Sequence, residues 1–117
     1  MARHNETGKL GEELAKQYFV KANYTILETN WRHRRNEVDI IATKDDMLYF
    51  IEVKCRRSSN FGHPEEAVTK AKIKNMIDAS EEYLYLNPRF QRIQFDVLAI
   101  TIIGEEVEYF LIEDVYL

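Results

Sequence analysis

The sequence predicts an α/β (α+β) fold: a central mixed β-sheet flanked by helices, with elements in the order α-β-β-β-α-β-β. Three observations carry that expectation. Apolar residues recur at helical spacing in two stretches, about 6–22 and 64–86. Runs rich in β-branched and aromatic residues fill the intervals between and after them. Within those runs, Glu37 to Lys54 reads as two strands joined by the short polar turn Asp45-Asp46. The second of these strands is apolar on both faces near its start, as expected of a strand internal to a sheet covered on both sides.

In order, the first helix places Leu10, Leu14, Ala15, Tyr18, Phe19 and Ala22 on one stripe, with Asn5 or Thr7 as its cap. Gly8 and Gly11 sit in its early turns, where each costs about 1 kcal/mol relative to alanine. That cost suggests a close approach by another backbone or by a ligand, or merely a frayed start. Glu12 lies at the margin of the apolar stripe. Asn23-Tyr24 ends the helix, and Thr25 to Trp31 forms the first strand. Arg32 to Asn36 is a basic connection in which Asn36 is suited to a positive φ. After the hairpin come a polar loop from Arg56 to His63 and a second helix opening at Pro64. Val68, Ala71, Met76, Ile77, Ser80, Tyr83 and Leu84 mark its buried side, and Asn87-Pro88 stops it. Ile93 to Ile103 and Val107 to Ile112 are the closing strands around the turn Gly104-Glu105-Glu106. Asp96 is the one carboxylate inside the apolar run 93–103, either at a strand end or supporting a site.

At 117 residues the chain is expected to form a single domain, residues 1–117. Its 45% hydrophobic and 31% charged content is that of an ordinary globular protein. No apolar run reaches membrane-spanning length and the first helix is too charged for a signal peptide, so the expected location is cytoplasmic. The single cysteine, Cys55, excludes an internal disulfide and a cysteine-based zinc site; His4, His33 and His63 are scattered. The net charge of −4 argues at first against a nucleic-acid partner, but the charge is unevenly placed. Residues 29–74 hold ten basic and seven acidic side chains, whereas 75–117 hold two basic and nine acidic. A local basic field beside an acidic pocket can still attract phosphate backbone.

The central hairpin poses an electrostatic problem. With Asp45-Asp46 as a two-residue loop, Lys44 faces Met47, Thr43 faces Leu48, Ile41 faces Phe50, Asp39 faces Glu52 and Glu37 faces Lys54. Period-two alternation sets Leu48, Phe50, Glu52 and Lys54 on one face and Tyr49, Ile51, Val53 and Cys55 on the other. Opposed carboxylates repel, and burial makes the pair costlier unless a cation lies between them. Asp39 and Glu52 therefore call for a counter-charge, either a metal ion or a basic side chain such as Lys54.

Asp39, twelve residues, then Glu52-Val53-Lys54 resembles the catalytic signature of the restriction-endonuclease-like PD-(D/E)XK nucleases, without the proline before the aspartate. Gly8-x-x-Gly11-Glu12-x-x-Ala15 resembles the first-helix motif of the archaeal Holliday-junction resolvases, where that glutamate joins the metal site. Across most of the chain the match is closer to the YraN-like family of small bacterial proteins. It runs through Asn30-Trp31-Arg32-x-Arg34, Glu37-Val38-Asp39, Glu52-Val53-Lys54-x-Arg56, Gly62-x-Pro64-x-Glu66-Ala67-Val68, Lys72, Tyr83-Leu84 and Phe95-Asp96-Val97. Asn36 replaces the glycine usual before Glu37, a change that still suits a turn. A bare D-x12-E-x-K is weakly specific; the flanking motifs give the resemblance its weight.

The resemblance implies a restriction-endonuclease-like fold and a Mg²⁺- or Mn²⁺-dependent endonuclease that hydrolyses phosphodiester bonds in DNA, branched or structured DNA included. It assigns Asp39 and Glu52 to direct metal ligation, the Val53 carbonyl to a further ligand position, and Glu12 to completing the cage. Lys54 would orient or deprotonate the attacking water, and Arg34, Arg56 and Lys72 would contact the nucleic-acid backbone. Cations held by carboxylates suit this chemistry, which needs a positioned water and neutralised phosphate charge. Two other readings stay open: a non-catalytic nucleic-acid-binding module, and a protein-interaction factor in which the carboxylates form only an ion-pair network. The complete set Glu12, Asp39, Glu52 and Lys54 favours the enzyme; the small size and acidic C-terminal third favour a homodimer or a protein partner.

Overall fold

The computed structural model describes residues 2–57 and 68–115. Seven elements follow in the expected order: α1 (Ala2–Lys21), β1 (Thr25–His33), β2 (Asn36–Lys44), β3 (Met47–Arg56), α2 (Lys70–Leu86), β4 (Ile93–Ile103) and β5 (Glu106–Ile112). The five strands form one sheet in the order β1-β2-β3-β4-β5. Every pairing is antiparallel except the parallel β3–β4. This mixed sheet with its α-β-β-β-α-β-β order is the restriction-endonuclease-like arrangement. No helix among the described residues is long and apolar enough to cross a membrane.

The hairpin register is the expected one. Lys44 pairs with Met47, Thr43 with Leu48 and Ile41 with Phe50, around Asp45 and Asp46 at φ 52° and 68°. Two consecutive positive φ values give the turn whose twist matches that of the flanking strands. The earlier turn departs from expectation. Asn36 begins β2, and the left-handed residue is Arg34 at φ 60°. The two residues Arg34 and Arg35 thus connect β1 to β2, with His33 pairing Asn36.

β3 lies at the centre of the sheet, and each of its faces meets a core. On the α1 side, Ala15 and Phe19 pack with Ile40, Ala42, Ile51, Leu98 and Ile100. On the α2 side, Met76, Ala79 and Tyr83 pack with Val38, Ile41, Leu48 and Phe50. Two positions assigned to helix stripes are solvent-facing instead: Leu10 is 39% exposed, and Ala71 is exposed while Ile73 and Ala79 are buried. α1 begins at Ala2, ahead of Asn5 and Thr7, so neither caps it. α2 begins at Lys70, where Thr69, itself extended, caps it by accepting from the Lys72 N–H. Pro64, with Gly62 and most of the loop expected at 56–63, lies outside the described residues. Asn87 closes the helix as expected.

Asp96 has a structural place. It is fully buried opposite Ile51, and its Oδ1 accepts from Gln94 Nε2 and from the Asp114 N–H, both at 2.9 Å. With the Val115 N–H donating to the Phe95 carbonyl, this fastens residues 114–115 to β4.

Candidate functional site

The site arises where β2 and β3 part. Their ladder runs from Lys44↔Met47 to Ile40↔Ile51; the next two steps would pair Asp39 with Glu52 and Val38 with Val53. The Val53 N–H instead donates to Oδ2 of Asp39 at 2.7 Å. Side-chain alternation breaks at the same point, since Ile40 belongs to the α1-side core and Val38 to the α2-side core. Asp39 sits between them, its carboxylate taking the hydrogen bond that a β2 carbonyl would otherwise accept. The expected pairings Asp39–Glu52 and Glu37–Lys54 are therefore absent from the ladder, and Glu37 contacts Arg32 Nε at 3.3 Å instead.

The gap opens into a cleft of about 370 Å³ lined by residues of α1, the β1–β2 turn, β2, β3 and α2. Glu12, Asp39, Glu52, Val53, Lys54 and Lys72 all line it, so the structure brings together every candidate acid and two candidate cations. Arg34 and Arg56 are outside this lining. Arg34 is exposed at the β1–β2 turn, and Arg56 Nε donates to Thr101 Oγ1 at 3.3 Å. Arg35, Asn36, Glu37 and Asn75 also line the cleft, none of them a site candidate from the sequence. Of these, Asn75 stands three residues after Lys72, a helical spacing that marks it as a neighbour.

Burial and the nearby Glu52 carboxylate push the Asp39 pKa up to about 7, against the Val53 hydrogen bond that favours the charged form. Glu37 and Glu12 add smaller repulsions of the same sign. Glu52 has two counter-charges: Lys54 Nζ and Lys72 Nζ each lie 3.6 Å from its Oε2. Burial lowers the pKa of Lys54, reinforced by the adjacent Lys72 ammonium and opposed by Glu52 and Asp39. Glu12 is turned toward β1, where Asn30 Nδ2 donates to its Oε1 at 3.0 Å.

Among the described residues no three His, Cys, Asp or Glu side chains converge closely enough to hold a metal ion. The donor chemistry nevertheless suits a hard divalent cation. Four carboxylates line one cleft, those of Glu12, Glu37, Asp39 and Glu52, and that of Asp39 is costly to ionise in the absence of a cation. Among the described residues, Glu52 is the one of these four that pairs with lysines.

α1 reaches the cleft through a close contact. A Cβ on Gly11 would lie 2.5 Å from the Cys55 Cβ and 3.1 Å from its Sγ, so only glycine lets the helix settle on β3 at this depth. Glu12, the next residue, is thereby held at the cleft wall. Of the explanations open for the two helical glycines, close approach by another chain segment applies to Gly11.

Residues 11–100 match the family described as "Uncharacterised protein family UPF0102". The chain is similar to a UPF0102 protein of Syntrophomonas wolfei, 50% identical over 100 residues, covering 85% of this chain and 87% of that protein. A UPF0102 protein of Flavobacterium johnsoniae is 45% identical over 109 residues, covering 90% and 89%. The corresponding protein of Flavobacterium psychrophilum, FP2501, is 44% identical over 100 residues, covering 86% and 84%. The matches agree with the YraN-like resemblance carried by the motifs.

Proposed function

From the premise that this chain belongs to the uncharacterised family UPF0102, we propose that it is a metal-dependent endonuclease hydrolysing phosphodiester bonds in DNA, branched or structured forms included. The observation that carries the reading is the parting of β2 and β3. It sets the Asp39 carboxylate, pinned by the Val53 N–H, in one cleft with Glu52 and Lys54.

Asp39 and Glu52 would hold Mg²⁺ or Mn²⁺, with the Val53 carbonyl and Glu12 as further oxygen donors. When bound, the ion would neutralise charge on the phosphate and lower the pKa of water. Lys54 stands beside Glu52, where its ammonium can orient the attacking water or donate a hydrogen bond to a phosphoryl oxygen, and burial lowers its pKa. Lys72 can bind a neighbouring phosphate from the start of α2, where backbone N–H groups also favour an anion. Arg35 at the cleft, with Arg34 beside it in the turn, can hold the strand as it leaves.

The deciding experiment is cleavage of linear, nicked, flapped and four-way DNA in Mg²⁺ or Mn²⁺, with far-UV circular dichroism to check folding. Asp39→Ala is expected to abolish cleavage, and Lys54→Ala to slow it by about 10²–10⁴-fold. Cleavage surviving both substitutions would remove this site from the chemistry. The paired lysines on Glu52 favour a second reading, in which the cluster is a structural ion-pair network in a protein-interaction factor. Calorimetric Mn²⁺ titration separates the two. Equal binding by wild type and by the Asp39→Ala, Glu52→Ala double variant, or no binding by either, supports the second reading.

A further inference from the structure

Gly8 lines the cleft, and nothing among the described residues packs against it in a way that requires glycine. It lies three residues before Gly11 and four before Glu12, on the side of α1 that turns toward the sheet. At Gly11 that side meets Cys55 at closest approach. At Gly8, one turn earlier, a Cβ would meet no atom within 4 Å among the described residues, and the residue is exposed and lines the cleft. Among the described residues, a side chain here would meet only open space. The helix nevertheless carries its least favourable residue apart from proline, with no positive φ and no neighbour among the described residues to account for it.

We infer that Gly8 keeps bare a stretch of α1 backbone against which the bound nucleic-acid strand lies. The surroundings identify the occupant as a sugar-phosphate backbone. Thr7 Oγ1, next in sequence, accepts from Arg57 Nε at 3.1 Å and so holds an exposed guanidinium beside this stretch. Arg35 lines the same cleft from the β1–β2 turn. A strand passing over Gly8 thus runs beside cations, one turn of α1 from Glu12. The absent side chain admits a deoxyribose and its phosphate to a distance that a methyl group would prevent. This inference rests on the nuclease reading and adds the path of the substrate to it.

The test separates stability from binding. In Gly8→Ala, helix propensity gains while the strand loses its seat, so thermal melting is expected to rise by about 2–6 °C. Affinity for a fluorescein-labelled four-way DNA and a labelled linear duplex, measured by anisotropy with Ca²⁺ in place of Mg²⁺, is expected to fall by about tenfold. Gly8→Leu should lose more while remaining folded. Cleavage at saturating DNA should suffer less than affinity. Unchanged affinity in both variants, with the wild type binding and cleaving, overturns the inference and leaves the nuclease reading standing. A drop in melting temperature for Gly8→Ala also overturns it, because the fold itself would then require the glycine. A wild type that neither binds nor cleaves any of these DNAs overturns the nuclease reading, and this inference with it.

Discussion

At the scale of single residues, Asp39 concentrates the energetic tension. Its carboxyl is held at about 7 in the fold against an ordinary value of 3.8. Between those values the folded chain holds a proton that the unfolded chain has lost. The group's stabilising contribution is therefore fully present below about pH 4 and disappears as pH rises through about 7. In EDTA, Asp39→Asn should remove that decline and still accept the Val53 N–H. The variant is expected to be more stable than wild type at about pH 8 by roughly 1–3 kcal/mol, and nearly equal at about pH 4. Urea denaturation across that range checks it; a wild-type-minus-variant difference independent of pH would contradict the assignment. Sequence patterning placed Asp39 beside Glu52 because the Asp45-Asp46 turn leaves one sensible register. It did not show the carboxylate replacing a ladder hydrogen bond, because departure of one strand from another depends on tertiary packing and not on period two. The turn residue was misplaced for a related reason. Asn36 looked suited to a left-handed conformation, but the length of the β1–β2 turn puts that burden on Arg34.

At the scale of elements, the docking of α1 on β3 is set by one missing methyl group. Gly11→Ala brings two Cβ atoms to 2.5 Å, so helix and strand must separate, at about 1–3 kcal/mol. Glu12 should move with the helix. Cys55→Ala in the same background removes only Sγ and leaves the overlap, whereas Cys55→Gly relieves it. Chemical denaturation of the two double variants should rank them in that order, and equal stabilities would dismiss the contact. Helices were legible where apolar spacing was strong, as at Ala15, Phe19, Met76 and Tyr83. Their beginnings were not. Thr69 caps α2 with a hydroxyl outside the apolar pattern, which gives little signal, and the proline and two glutamates that resemble a helix start lie outside the described residues.

At the scale of the whole molecule, the net charge of −4 conceals a basic margin around the cleft. Arg34 and Arg35 form the β1–β2 turn, and Lys72 stands across the cleft on α2. Each arginine, truncated to alanine, should weaken binding to all DNA forms alike and reduce the slope of log K against log salt by about 1. Anisotropy titrations over a salt series measure both quantities. A loss confined to one DNA shape with an unchanged slope would assign the turn to shape recognition instead. The charge asymmetry was readable by counting. Which arginine reaches the cleft was not, since Arg32, Arg34 and Arg35 differ in role through the turn conformation alone.

Val53 joins two layers of the molecule that need not change together. Its N–H pins the Asp39 carboxylate, while its side chain packs in the α1-side core. The residue between Glu52 and Lys54 can therefore vary in size to follow the packing of α1 and leave the acid where it is. Val53→Ala and Val53→Ile should shift the urea midpoint and spare cleavage. Proline, which lacks the N–H, should release the carboxylate although every side chain that lines the cleft with a charge remains. Substitutions at Val53 thus divide into those that change its side chain, which the core notices, and the one that removes its N–H, which the Asp39 carboxylate does.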